Sequence, residues 1–473
     1  MVFSSGVFLF LFLPALLIVY YLVKNRSVRN YLLLLASLAF YAWGEPVFVF
    51  IMLASIFINW LITLIMSGAS HKKFWLVLAI TLDVLLLGVF KYAAFILENL
   101  AILAGHEIYQ VNIALPIGIS FFTFQSAGYV IDVWRRDIPA ERNFVRYALF
   151  VSFFPQLVAG PIERSRNLLR QLDEPRPFDF DRAKLGVFLI LWGLFLKMVL
   201  ADRAAIFVDA AYANWKATNG MILMLATLLF AVQIYCDFYA YSIIAKGTAK
   251  ILGIELMDNF CAPYFADSVQ DFWRRWHISL STWFRDYLYI PLGGSRCGTP
   301  RALFNIITVM LVSGIWHGAG LHFVAWGLFH GVLQAAEKIA KPVLSFVPKS
   351  LRWLGTTFWV CAAWVFFRAS SVKMACKMLK KMAGAVAKGR FFCGEELYAY
   401  GLDAADLHLL CTAILLLFAA DFCKYKGVDL PALAARRNPA LQAVAIALAV
   451  TLISIYGIWG SAYNAAGFIY FQF

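Results

Sequence analysis

Apolar runs of bilayer-crossing length recur along this chain, at residues 6–23, 47–66, 74–97 and 221–245, and they constrain its fold more than any other feature. A straight helical crossing takes about 20 apolar residues. Inside hydrocarbon every backbone N–H and C=O must find a partner within the segment, which for runs of this length means a helix. The fold class is therefore all-α, a polytopic integral membrane protein, and counting runs gives about ten to twelve membrane-embedded helices. Shorter runs at 31–43 and 144–159 fall below a straight span and predict tilted or re-entrant elements. The sequence is 62% hydrophobic and 14% charged, with no internal repeat or low-complexity linker, so residues 1–473 read as one membrane domain.

Charge sets the expected orientation. Residues 1–23 carry no charge, and Lys24, Arg26 and Arg29 follow the first apolar run. That order is opposite to a cleavable signal peptide's and predicts a retained segment with its N-terminus outside the cytoplasm. His71, Lys72 and Lys73, then Arg135, Arg136 and Arg142, mark further cytoplasmic loops. The net charge of +14 is dispersed among loops, where the positive-inside rule and anionic lipid account for it, and it asks for no nucleic acid. Eight cysteines without a C-x-x-C pair read as free core residues, not a disulfide or metal framework. The longest polar interruptions, 160–184 and 258–301, are too apolar and aromatic for flexible loops and predict short or re-entrant helices at a cavity mouth. Residues 373–388 set lysines at helical spacing opposite methionines, the pattern of an interfacial amphipathic helix.

Two histidines stand out. His317 lies in Ser313-Gly-Ile-Trp-His317-Gly-Ala-Gly320, inside an apolar run. An ionisable side chain at membrane depth is costly to keep and is read first as functional. Glycines on both sides would let a substrate approach the imidazole, and an apolar setting would keep it neutral, the form a general base needs. A histidine hydrogen-bonded between packed helices is the alternative, and His322 and His330 in the same run are rivals. His277 sits beside Trp276 among Arg274, Arg275 and Arg285. Those arginines could bind phosphates of a cytoplasmic donor, or anchor the segment to lipid while Trp273, Trp276 and Trp283 form an aromatic belt. Asp237, in an apolar run, must be protonated, paired or facing water, and reads as a supporting polar partner. No G-x-S-x-G elbow, Walker A loop or H-E-x-x-H pair occurs. Direct transfer assisted by a base is then the simplest chemistry for a buried histidine.

The stretch Asp271-Phe-Trp-Arg-Arg-Trp-His277-Ile-Ser-Leu-Ser-Thr-Trp-Phe-Arg-Asp-Tyr-Leu-Tyr-Ile-Pro-Leu-Gly-Gly294, with Ile315-Trp-His317-Gly, Leu115-Pro-Ile-Gly-Ile-Ser120, Ala159-Gly-Pro-Ile-Glu-Arg164 and both chain ends, resembles the membrane-bound O-acyltransferase family. The match is to its bacterial branch of alginate O-acetyltransferases, with teichoic-acid D-alanyl transferases as relatives. The resemblance implies a ring of helices around a thin central region with funnels on both faces, and His317 and His277 as the catalytic pair. His317 would be the base, and His277 would orient groups or stabilise developing charge. An acyl group, in the first place acetyl, would arrive as a cytoplasmic thioester of coenzyme A or of an acyl carrier protein, with no bound cofactor and no metal. It would leave on an exported envelope glycan, helped by a secreted SGNH-type transferase or esterase, at a bacterial cytoplasmic (inner) membrane. Where that branch has Asp-Phe-Ser-Gly-Tyr-Ser-Asp this chain has Asp237-Phe-Tyr-Ala-Tyr-Ser-Ile243, so alginate-like glycan and peptidoglycan both stay open. The last six residues hold four aromatics, among them Tyr470, either an interfacial tyrosine or an acyl way station. A transporter or flippase, with Asp83, Lys91, Lys197 and Asp202 along its path, or a scaffold for glycan export, is the alternative without bond-making.

Overall fold

A computed structural model describes residues 1–104, 113–158, 160–389 and 394–459 of the chain. Regular structure among these residues is helical, with no strand. Seven of the helices are long and apolar enough to cross a membrane: Phe48–Gly68, Lys72–Leu103, Phe180–Ala213, Gly220–Ile251, Thr299–His317, Ala404–Tyr425 and Pro439–Tyr456. The chain is thus a multi-pass membrane protein. The figure of ten to twelve also counted runs that form shorter elements. Phe8–Leu22 is one of these, and the run at 144–159 breaks into Phe144–Ser152 and Phe154–Leu157.

The chain divides into two compact units, residues 1–187 with 245–257, and residues 188–244 with 258–473. In the first unit, a phenylalanine cluster of Phe3, Phe8, Phe40 and Phe154 packs with ring centroids 4.9 to 6.5 Å apart. Pro155 opens the second half of the broken run, and proline cannot donate a helical hydrogen bond. The Phe154 N–H freed at the break donates to Ser37 Oγ at 3.1 Å, which meets the requirement that buried backbone groups be paired. Two buried polar pairs lie inside this unit: Asn59 donates to Asp83 at 2.9 Å and Ser165 to Asp132 at 2.6 Å. The 160–184 stretch contains the expected short helix, Ser165–Asp173, which buries Leu168, Leu169 and Leu172. Just before it, Glu163 is buried and accepts the Met257 N–H. Burial pushes its carboxyl up to about 7.

In the second unit, Gly220–Ile251 carries Asp237 on a buried face. Asp237 is paired, one of the three options open to it: Lys197 Nζ lies 2.7 Å from its Oδ1 and 2.8 Å from Asp202 Oδ1. Lys197 belongs to a π-helical turn, Leu196–Ala201, a local widening that often marks functional sites. Ala404–Tyr425 reaches Gly220–Ile251 through two bonds: Tyr235 donates to Asp421 at 2.8 Å, and Lys424 Nζ donates to Tyr239 Oη at 3.1 Å. Val372–Ala387 is the expected amphipathic helix, burying Ala375, Met378, Met382 and Ala385 while Lys373, Lys377 and Lys380 stay exposed.

Candidate active site

His317 is the last residue of Thr299–His317, and the extended backbone of Gly318 ends the helix there. This helix packs along Leu321–Leu344 through facing glycines. A Cβ on Gly314 would lie 2.4 Å from Phe323 O and 3.1 Å from Gly327 Cα, and one on Gly327 would lie 2.4 Å from Met310 O. Small residues at such a seam let two membrane helices approach closely. A Cβ on Gly318 would strike the Phe323 ring at 2.3 Å. The glycines around His317 therefore serve packing of helix and ring. What they achieve is placement: the His317 ring is buried, with centroid distances of 4.8 Å to Trp316, 4.9 Å to Trp326 and 5.2 Å to Phe367.

The second histidine arrives from the 258–301 stretch, which is the expected series of short helices, including Val269–Arg275 and Ile278–Phe284. His277 joins these two helices at φ 44, ψ 55, a left-handed conformation that costs a non-glycine residue about 1–2 kcal/mol. Such strain persists only where surrounding contacts enforce it, and here Asn259 does so. Its carbonyl accepts the Ile278 N–H at 2.9 Å. Its side-chain Oδ1 accepts the Ser279 N–H at 3.2 Å and the Ser279 hydroxyl at 2.7 Å, while Nδ2 donates to Ser242 Oγ at 3.0 Å.

Asn259 also fixes the imidazole. A backbone N–H only donates, so the atom facing Ser279 N must be the Asn259 oxygen. The same oxygen lies 3.2 Å from His277 Nδ1, so Nδ1 carries the proton and Nε2 keeps its lone pair. Burial pushes the His277 pKa down to about 3, and the ring is neutral at physiological pH. His277 stands 6.4 Å from the Trp316 ring, which itself touches His317, and 4.6 Å edge-on from Phe238, the neighbour of Asp237 in sequence. Both singled-out histidines thus pack on Trp316.

The remaining candidates separate. His330 Nδ1 accepts from Trp273 Nε1 at 3.3 Å inside a box of Trp273, Trp326 and Trp364, and His322 donates to Phe366 O at 3.2 Å. Trp273 and Trp276 are buried in this aromatic core, not arrayed as an interfacial belt. Arg275 is occupied by Asp271 at 2.7 Å and by the Tyr425 ring at 5.1 Å. Arg274 and Arg285 are exposed, the latter 2.8 Å from Asp286. Tyr470 lies outside the described residues. Asn259 and Ser279 escaped the sequence reading.

The model of the membrane-bound O-acyltransferase family matches residues 135–379, a stretch containing Asp237, Asn259, His277 and His317. Over 393 residues the chain is 43% identical to the probable alginate O-acetylase AlgI of Azotobacter vinelandii, covering 81% of this chain and 78% of that protein. It is 35% identical over 421 residues to the peptidoglycan O-acetyltransferase of Helicobacter pylori, covering 81% and 80%. To the teichoic acid D-alanyltransferase of Bacillus subtilis it is 26% identical over 262 residues, covering 52% and 64%.

Proposed function

The chain belongs to the membrane-bound O-acyltransferase family and is an O-acyltransferase, and from that premise we propose that it moves acetyl groups from a cytoplasmic thioester to an exported envelope polysaccharide. The relatives named for alginate and for peptidoglycan O-acetylation support a glycan acceptor. Bond-making sets the transporter and scaffold alternatives aside. Asp83, Lys197 and Asp202, which the transporter reading placed along a path, each have a partner inside the protein.

In the proposed reaction His317 takes the proton of the acceptor hydroxyl as that oxygen attacks the thioester carbonyl. The carbon–oxygen bond forms and the carbon–sulfur bond breaks. The leaving sulfur carries off the electron pair and takes the proton back from the imidazolium. His277, neutral and with Nε2 as an acceptor, orients the hydroxyl. Its tautomer suits that role better than donation to the developing oxyanion. Asp237 acts indirectly, by tying Lys197 of Leu196–Ala201 to Gly220–Ile251, the helix that also carries Phe238. The donor is coenzyme A or an acyl carrier protein, whose phosphates would meet the exposed Arg274, and Arg285 on exchange of its bond to Asp286. A secreted SGNH-type enzyme completes delivery at the far face of a bacterial cytoplasmic membrane.

The observation that carries this reading is the pair of buried imidazoles packed on Trp316. Thioester consumption by purified protein tests it. His317→Ala should slow transfer by roughly two to four orders of magnitude, the usual worth of a positioned base, and His277→Ala by less. A well-folded His317→Ala protein working at the normal rate would overturn the assignment.

A further inference from the structure

Away from the histidines, within the first unit, the loop after the first apolar helix meets residues 175–177 around a cavity of about 630 Å³, lined by Lys24, Asn25, Arg26, Ser27, Arg29 and Arg176 with two prolines. Every ionisable side chain in this wall is cationic. Of the acids close by in sequence, Asp173 is shared between the wall's Arg26, at 4.0 Å, and Arg146, and Glu174 pairs with Arg170 at 3.4 Å. Arg29 braces the wall, donating 2.6 Å bonds to Val23 O and Arg176 O while its guanidinium lies 4.8 Å from the Tyr20 ring centroid.

Arg176 is the informative residue. It is 4% exposed and donates through Nη2 to Asn30, yet its buried Nε and Nη1 meet no acceptor among the described residues. Buried donors of a charged group are normally satisfied, because leaving them bare forfeits hydration without return. The cavity also receives the start of the 17-residue helix Arg26–Ala42, capped by Asn25, whose Oδ1 accepts the Val28 N–H. The first turn of a helix presents N–H groups that no intrahelical carbonyl satisfies, at the positive end of the helix dipole. Guanidinium forks beside a helix N-terminus match the several acceptor oxygens of a phosphate. The volume is that of a small-ligand site and leaves room for the group to which the phosphate is esterified.

We propose that this cavity binds a phosphate ester. Two sources share that chemistry. One is the headgroup of an acidic phospholipid, since basic loops gather at the anionic cytoplasmic leaflet. The other is a phosphate of the thioester donor, and that source alone rests on the acyl-transfer reading.

The test uses the full chain in phosphatidylcholine nanodiscs, with phosphatidylglycerol retention read by native mass spectrometry and coenzyme A binding read by titration. Wild type should hold at least one of the two probes, more weakly as salt is raised. The double variant Arg29→Gln/Arg176→Gln should weaken that binding at least tenfold. Ser27→Asp guards against misfolding, because an acid in the first turn favours the helix while competing with a bound anion. It should lose the probe with its thermal midpoint unchanged or raised. Loss of phosphatidylglycerol alone assigns the lipid source, and loss of coenzyme A alone assigns the donor source. Wild type binding neither probe, or Ser27→Asp binding as well as wild type, overturns the proposal whatever the outcome for transfer activity.

Discussion

Replacing Asn259 by Asp tests the claim that this residue sets the state of His277. The substitution keeps Oδ1 as acceptor for the Ser279 N–H, the Ser279 hydroxyl and the His277 Nδ1–H. The lost donation to Ser242 Oγ can be replaced by the serine hydroxyl turning round to donate. The change that remains is a negative charge about 4 Å from the imidazole centre. At an effective dielectric of about 20, two unit charges at about 4 Å interact by about 4 kcal/mol, equivalent to about three pKa units. His277, held down at about 3 by burial, would rise to about 6. Protonation there removes the Nε2 lone pair, so the variant should gain an acid limb near pH 6 that wild type lacks. The assay is thioester turnover between pH 5 and 8, compared between the two proteins, since limbs from other groups appear in both. Asn259→Leu, which leaves the Ser279 N–H and the imidazole N–H facing methyl groups, should lose stability, at about 1–3 kcal/mol per buried donor. A folded Asn259→Asp protein with the wild-type pH profile would refute the coupling.

Other expectations follow from the same geometry. The folded pKa of His277, about 3, lies below the ordinary value of 6.5, so the unfolded chain takes up the proton first. Stability attached to this group is complete above about pH 6.5 and falls as pH drops toward 3, by up to about 1.4 kcal/mol per unit. Unfolding midpoints at pH 4.5 and 7 should accordingly diverge less in His277→Asn than in wild type. Gly314→Ala pushes a methyl into Phe323 O and should cost about 1–3 kcal/mol along with activity. Gly355→Ala, where nothing lies within 4 Å of the new carbon, should cost neither. From sequence chemistry alone, Tyr470→Phe should abolish glycan acylation with folding intact, and intact-mass analysis after incubation with donor should show an acyl adduct on wild type only.

Local patterns were legible because the bilayer makes them so. Apolar runs became helices, and the lysine and methionine spacing of residues 373–388 became a helix with Met378 and Met382 buried. What the sequence conceals is which groups meet across long separations. Glycine beside His317 advertises a close approach but not its partner, and the partner proved to be the backbone of the next helix. Asp237 had to be protonated, paired or facing water, and the sequence offered many cations; only folding selects pairing with Lys197.

The same limit applies to the chemistry of His277. Nothing in its own segment says which ring nitrogen holds the proton. That is decided by an amide 18 residues earlier, itself oriented by one backbone N–H that can only donate. A candidate pair can therefore be named from a family resemblance while its protonation state cannot. The residue controlling that state bears no charge, and Asn259 became interpretable only once its four hydrogen-bonding neighbours were in place.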